Sequence, residues 1–291
     1  MVILVTGANS QLGIELKNIS LNYPEFKFIF TTKNEFDITN LKQLKDFLNN
    51  SERINYIINT AAYTNVDMAE TDQKNAYKVN VEGVVNLFKV CSYHKINLIH
   101  ISTDYVFDGN KNFPYTEEDT TNPLNYYGKT KEESEKEALR LSNSIIIRTS
   151  WLYSPYKNNF VKNVIRKAKE QKEIEVVIDQ IGSPTYALDL AEAIINIIKY
   201  SSEHKTFKRG IYHYSNEGLC SWFDFASEII DYYSLPCIVK PILSTQLKTN
   251  TKRPLYSVLS KEKIKKIFNL NIPYWKKSLY KCLERININE I

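Results

Sequence analysis

The sequence predicts an α/β fold: a doubly wound parallel sheet with helices on both faces, followed by a smaller carboxyl-terminal portion that serves the substrate. Three observations predict it. Short apolar runs alternate with helical periodicity through the first half of the 291 residues. The turn Gly7-Ala8-Asn9-Ser10-Gln11-Leu12-Gly13 joins the first apolar run to the first periodic segment. Beyond Trp151 that alternation becomes irregular.

Val2–Thr6 reads as the first strand, Gln11–Ser20 as the first helix and residues 26–31 as the second strand. Thr39 or Asn40 can cap a helix whose Leu41, Leu44, Phe47 and Leu48 share one face, and Tyr56–Asn59 is a short buried strand. A longer helix follows, with Ala76, Val79, Gly83, Leu87 and Cys91 as its core-facing stripe, before a strand over 98–102. Another helix starts near Asn125 and carries the charged stretch 129–140, and Ile145-Ile146-Ile147 reads as a further strand. That makes six or so strand–helix units by residue 150, the signature of a doubly wound sheet. The irregular half offers a helix over 160–169, a strand over 175–178, a helix over 189–200 and a strand over 211–214. Ser221 and Asp224 resemble a capping box opening the helix Trp222–Tyr233, and Pro236, Pro241, Pro254 and Pro273 punctuate what remains. Residues 1–151, with later strands and a helix near 174–215, are assigned to the sheet domain. Residues 152–173 and 216–291 form the portion laid over the carboxyl ends of the strands, where ligands sit in open α/β sheets.

Composition narrows the function classes. With 43% apolar and 24% charged residues, the chain has an ordinary globular core. Its 38 Lys+Arg and 33 Asp+Glu are interleaved, so the net charge of +5 forms no basic block and no nucleic-acid partner is expected. The amino terminus is too short for a signal peptide, and no apolar run reaches a membrane span, so no membrane partner and a cytoplasmic location are expected. Cys91, Cys220, Cys237 and Cys282 make no C-x-x-C, and His94, His100, His204 and His213 make no H-x-x-x-H; neither a disulfide framework nor a metal site is expected.

The glycine turn lies between a strand and a helix, where backbone N–H groups and a helix N-terminus can approach a pyrophosphate. Gly7 and Gly13 are its first and last glycines, and Ser10 replaces the middle one, which implies either a slightly more open loop or an ordinary negative φ there. At the end of strand two, where a carboxylate would accept the adenosine ribose and repel a 2′-phosphate, the chain reads Thr31-Thr32-Lys33. Hydroxyls and a cation favour NADPH; NADH also serves if Lys33 points elsewhere. Ser102-Thr103 closes one strand, and Tyr127 and Lys131, four apart on a helix, share a face about 6 Å along the axis. Tyr126 would face Thr130, and Lys129 lies off the face of Tyr127, so the register selects Tyr127 and Lys131. An ammonium ~4–6 Å from a phenol lowers its pKa from about 10 by roughly 1–3 units and makes it a proton donor for a ketone. Thr103 can hydrogen-bond the same carbonyl oxygen. With 20 tyrosines in the chain, the pair draws its weight from its place after the fifth strand unit.

The motifs T-G-A-N-S-Q-L-G, N-T-A-A-Y-T-N-V-D-x-A-E, V-N-V-E-G-V, S-T-D-Y-V-F, Y-Y-G-K-T-K, R-T-S-W-L-Y and D-Q-I-G-S-P-T occur in order from residue 3 to about 190. Together they resemble the dTDP-4-dehydrorhamnose reductase family, an extended short-chain dehydrogenase/reductase group with a Rossmann fold; beyond 190 the likeness continues weakly through S-N-E-G-L-C-S-W and Arg253-Pro254. The resemblance implies NADPH-dependent reduction of the C4 ketone of dTDP-4-dehydro-rhamnose to dTDP-L-rhamnose, a precursor of cell-surface polysaccharide, and a homodimer as the assembly to test. It implies Thr103, Tyr127 and Lys131 as the catalytic set, with Ser10, Gln11 and Leu12 on the cofactor phosphates. Thr32 would meet the adenosine ribose, Asp37 and Ile38 the adenine, and Ala62, Tyr63 and Thr64 the nicotinamide side. Asp104 or Tyr105 and Trp151 would line the sugar pocket, and Asn80 would hold a helix bend. The chain departs from the pattern at Ser10 and at Ser154, both glycine positions. Nucleotide-sugar dehydratases resemble T-D-E where this chain has Thr103-Asp104-Tyr105, so the acid for water elimination is missing. Two alternatives stay open: another nucleotide-linked 4-keto-6-deoxysugar as substrate, and a non-catalytic role like that of the regulatory subunit of methionine adenosyltransferase.

Overall fold

The computed structural model describes residues 1–291 except Lys248 and Asn250, and the side chain of Glu290 is also left undescribed. Six parallel strands form the central sheet: β1 (Val2–Thr6), β2 (Lys27–Thr31), β3 (Tyr56–Asn59), β4 (Asn97–Thr103), β5 (Ser144–Thr149) and the strand Gly210–His213. Across the sheet, β2 lies at one edge, then β1, β3, β4 and β5, with Gly210–His213 at the other edge. Val5 pairs with Phe30 on one side and Ile58 on the other.

These strands are continuous apolar runs because helices cover both faces. On one face Ile3, Val5, Ile58, Ile99 and Ile145 meet Leu12 and Leu16 of α1 (Gln11–Ser20) and Ile194 and Ile198 of the helix Ala187–Glu203. On the other, Leu4, Ile57, Leu98 and Ile146 meet Leu44 and Leu48 of α2 (Leu41–Asn50) and Val84 and Leu87 of the helix Gly83–His94. A fully buried aliphatic side chain contributes on the order of 1.5–3 kcal/mol, against about 1 for a net hydrogen bond, so these two cores dominate the stability of the sheet. Asn40, rather than Thr39, caps α2 by accepting from the Gln43 amide at 3.2 Å.

Strand order reverses at β1, with β2 added on one side and β3 on the other while every strand stays parallel, and such a switch point opens a crevice at the carboxyl ends. Two readings of the strand count need correction. Five strands, not six, precede residue 150, and Tyr127 follows the fourth. The sixth strand is Gly210–His213, more than 60 residues beyond β5, with which it pairs in parallel.

The predicted long helix is broken into α3 (Val66–Thr71), α4 (Gln73–Tyr77), a π-helical turn Lys78–Glu82 and α5 (Gly83–His94). The extra residue in the turn directs Asn80 and Val81 inward and leaves Val79 only half-buried. Asn80 accepts from the Tyr63 amide at 2.8 Å and donates to the Tyr63 carbonyl at 3.1 Å and to Thr130 Oγ1 at 2.9 Å. Asn80→Ala leaves the Tyr63 backbone groups without these partners, and the urea midpoint falls by the equivalent of about 1–3 kcal/mol; an unchanged midpoint would show the turn to be held by other contacts.

The rest of the chain builds a smaller packed unit. Helices α6 (Tyr126–Ala138) and α7 (Phe160–Glu170) precede it and enter it respectively, and α7 packs with the helices Trp222–Tyr233 and Trp275–Glu284 around Val161, Ile165, Phe225, Ile229, Leu279 and Leu283. Ser221 and Asp224 form the capping box reciprocally, at 3.0 and 2.9 Å. The strand near 174 does not join the central sheet. Glu173–Val177 pairs in parallel with Ile238–Ile242, because Glu173 and Glu175 give it a solvated face that a two-sided sheet position would not tolerate. Among the described residues, no helix is long and apolar enough to cross a membrane.

Candidate functional site

A cleft of about 710 Å³ opens at the switch point between the sheet and the smaller unit. On its sheet side lie Ser10, Gln11, Leu12, Ala62, Thr64, Thr103, Asp104, Tyr105, Tyr127 and Lys131; Trp151, Phe160, Trp222 and Arg253 face them.

The glycine turn fits a dinucleotide phosphate. Gly7 has a φ of +63°, and a Cβ on Gly13 would lie 2.5 Å from the Gly7 carbonyl oxygen, so only glycine permits this close turn. Ser10 has a φ of −74° and caps α1, accepting from the Gly13 amide at 3.0 Å, and its hydroxyl also meets Thr60 Oγ1 at 2.8 Å. The missing middle glycine therefore costs no backbone strain. The amides of Gln11 and Leu12, in the first turn of α1, have no protein partner among the described residues and are available to an anion. Gln11 Oε1 accepts from Ser154 Oγ at 3.0 Å and from Asn159 Nδ2 at 2.9 Å. Ser154, where a glycine was expected, thus ties the loop to the smaller unit.

The adenine-side residues stand apart from the cleft walls. Asp37 Oδ1 accepts from the Thr39 amide and hydroxyl, and Ile38 is buried against Gly83, whose Cβ would come within 2.7 Å of it. Lys33 is exposed, and Thr32 gives both its amide and its hydroxyl to Glu35. Tyr63 turns its hydroxyl to Asp72 at 3.2 Å while Asn80 pins its backbone, so it brings only backbone near Ala62 and Thr64.

Thr103 ends β4, and Tyr127 and Lys131 project from α6, whose Asn125 cap accepts from the Gly128 amide at 2.8 Å. Gly128 is required because a Cβ there would lie 2.3 Å from the Tyr105 carbonyl oxygen, and that approach brings the tyrosine up to Thr103. The Thr103 hydroxyl lines the same cleft as the Tyr127 phenol and donates to Asp104 Oδ1 at 3.1 Å. Burial pushes the Tyr127 phenol up to about 12, with Thr103 opposing the shift and the Asp104 charge adding to it. This corrects the expectation that Lys131 would acidify the phenol. Lys131 donates to the Ile101 carbonyl at 2.7 Å and lies 3.3 Å from His100 Nε2, and its own burial lowers it to about 8 against an opposing pull from Glu135. His100 is fixed by Asn59 and Ser134, each at 3.0 Å; burial and then the Lys131 charge push it well below its ordinary range, so its imidazole is neutral.

Asp104 is buried, its Oδ2 lacks a protein hydrogen-bond partner, and desolvation raises it to about 7. Tyr105 sets its ring edge-on to Tyr127, with centroids 6.2 Å apart. Trp151 adopts a φ of +48° and stacks on Trp222 with centroids 3.6 Å apart and an 8° interplanar angle. Gly182 makes room for its ring, since a Cβ there would meet it at 2.6 Å. Trp151 accordingly forms part of the cleft wall while packing against the core of the smaller unit.

The lining residues that escaped sequence reasoning include Trp222, Arg253, Phe160 and Asn159. Trp222 was read only as a helix start and Arg253 only as part of a weak motif. Arg253 pairs with Asp67 at 2.7 Å at the rim and is a cation within reach of the cleft.

A family model described as the RmlD substrate binding domain matches residues 1–288. The chain is 41% identical to the dTDP-4-dehydrorhamnose reductase of Aggregatibacter actinomycetemcomitans, over 95% of this chain and 96% of that protein. It is 36% identical to the spore coat polysaccharide biosynthesis protein SpsK of Bacillus subtilis (strain 168), over 97% and 96%. The solved dTDP-4-dehydrorhamnose reductase of Bacillus anthracis str. Ames, in complex with NADP, superposes with a TM-score of 0.91 at 38% identity, covering 97% of this chain and 98% of that one.

Proposed function

The chain belongs to the family of the RmlD substrate binding domain, and from that premise we propose that it reduces the C4 ketone of dTDP-4-dehydrorhamnose with NADPH to give dTDP-L-rhamnose, a polysaccharide precursor. The observation that carries the reading is the Thr103–Tyr127 hydroxyl pair, with Lys131 behind it, in the same cleft as the free amides of the glycine turn. Gln11 and Leu12 amides would hold the cofactor phosphates, with Ala62 and Thr64 beside the nicotinamide, and the cofactor supplies hydride when bound. Tyr127 stays protonated through the neutral range and gives its proton to the ketone oxygen, while the Thr103 hydroxyl would have to turn from Asp104 to steady the charge that develops there. Lys131, donating to the Ile101 carbonyl and close to His100, would hold the cofactor with a buried ammonium in the same cleft. Trp151 and Trp222 offer a stacked aromatic wall to the sugar, and Arg253 a cation to the nucleotide diphosphate. The same reading expects a cytoplasmic enzyme and a homodimer, the latter checked by light scattering.

A dehydratase reading is disfavoured because Tyr105, not a carboxylate, follows Asp104 beside Tyr127. The deciding assay follows NADPH absorbance with dTDP-4-dehydrorhamnose and reads the product by NMR. One NADPH lost per sugar reduced is expected; cofactor left unchanged while the sugar alters, or no turnover on any 4-keto-6-deoxysugar, would overturn the proposal.

The titrating groups also set a pH profile. Asp104 becomes anionic near 7, which opposes charge on the ketone oxygen, and Lys131 loses its ammonium near 8. Both changes act in one direction, so kcat/KM for reduction declines as pH rises through this window. Asp104→Asn moves the onset of the decline up toward 8, and a profile flat across it in the wild type would remove both roles.

A further inference from the structure

Sequence rules look for the cofactor-selecting charge at the end of β2, and that position carries no carboxylate: Thr31, Thr32 and Lys33 stand there. The fold returns one. After Asn34 the chain turns back, with the Glu35 and Phe36 amides both donating to the Thr32 carbonyl, at 3.2 and 2.9 Å. The turn sets Glu35 Oε2 on the Thr32 amide at 2.8 Å and on the Thr32 hydroxyl at 2.9 Å, while Oε1 has no protein partner among the described residues. The Thr32 amide holds this carboxyl below its ordinary range, and the Thr32 hydroxyl adds to that effect, so Glu35 is anionic at neutral pH.

We propose that Glu35 is the residue that sets the discrimination between NADPH and NADH, by occupying the two Thr32 donors that the 2′-phosphate of NADPH would otherwise use. A bound NADH leaves the carboxylate in place, its second oxygen open to the ribose hydroxyls. NADPH brings a phosphate to the same pair of donors, and two anions cannot share them without one being displaced toward solvent. Exposed Lys33, next in the chain to Thr32, is the cation that offsets the repulsion and keeps NADPH usable. Glu35 thereby supplies the charge that the strand end lacks. The inference rests on the proposed dinucleotide site.

The test measures NADP⁺ and NAD⁺ affinity by calorimetry, and kcat/KM with each reduced cofactor, for the wild type, Glu35→Ala and Glu35→Gln. Glu35 is exposed and bonds only within its own turn, so both variants keep the wild-type Tm. The ratio of NAD⁺ to NADP⁺ dissociation constants is expected to rise about tenfold in each variant, with NADP⁺ bound more tightly, because a like charge beside the phosphate has been removed. Gln in place of Glu separates charge from shape: a rise in the Ala variant alone would overturn the electrostatic account. An unchanged ratio in both variants would overturn the role of Glu35 while leaving the reductase reading intact. Failure of the wild type to bind either dinucleotide would overturn both.

Discussion

Tyr127→Phe lowers kcat for sugar reduction at least about 10²-fold while cofactor affinity stays within a small factor of the wild type, the size and split expected when only general-acid catalysis is lost. The phenol ring packs edge-on against Tyr105, so phenylalanine keeps the contact and the cleft keeps its shape. What disappears is one hydroxyl that lines the cleft with Thr103 and keeps its proton up to about pH 12. Neither neighbour can replace it. Thr103 already donates to Asp104, and Lys131 points its ammonium to the Ile101 carbonyl and toward His100. Stopped-flow turnover alongside dinucleotide titration separates the outcomes. Near-wild-type kcat would remove Tyr127 from the chemistry, and a matching loss of cofactor affinity would make its role one of binding.

The parts of this site that were readable in advance are those set by local periodicity. The helical repeat alone places Tyr127 and Lys131 on one face, and a strand, a glycine turn and a helix in succession place Gly7 and Gly13. What stayed hidden depends on partners distant in sequence. The direction of the Lys131 ammonium is decided by the Ile101 carbonyl, which only the packing of α6 on β4 brings within 2.7 Å. The π-helical turn exists because Asn80 binds Tyr63 and Thr130, respectively 17 and 50 residues away. Trp222 belongs to the cleft because Trp151 adopts a left-handed backbone and stacks on it, a pairing across 71 positions that periodicity cannot reveal. The strand Glu173–Val177 was placed with the central sheet on its apolar residues, yet its alternating burial marks it as one-sided.

Arg148→Met destabilises the fold by about 3–5 kcal/mol, the largest stability change expected of any single substitution near the cleft. Arg148 on β5 and Glu135 on α6 form a two-pronged pair, Nε to Oε1 at 2.9 Å and Nη2 to Oε2 at 2.7 Å, with each side chain only 3% exposed. Removing the guanidinium strands a carboxylate among Phe107, His213 and the end of the sheet, and His213 is neutral there because burial, and secondarily the Arg148 charge, push it well below its ordinary range. Removing both charges is different. The double variant Glu135→Met with Arg148→Met leaves no charge of the pair unpaired, only the His213 Nε2 that Arg148 had met, and regains most of the lost stability, since a buried pair roughly balances its attraction against its desolvation. The pair also has a functional consequence. Glu135 lies one helical turn beyond Lys131 and is the charge that opposes the effect of burial on the ammonium. In the double variant that opposition is gone, the Lys131 pKa falls below about 8, and the decline of kcat/KM moves to lower pH although the protein is folded. Urea unfolding of the single and double variants, with pH profiles of the stable ones, separates the two effects. A single variant as stable as the wild type would remove the structural claim. A double variant with an unmoved profile would show that Glu135 serves the fold alone.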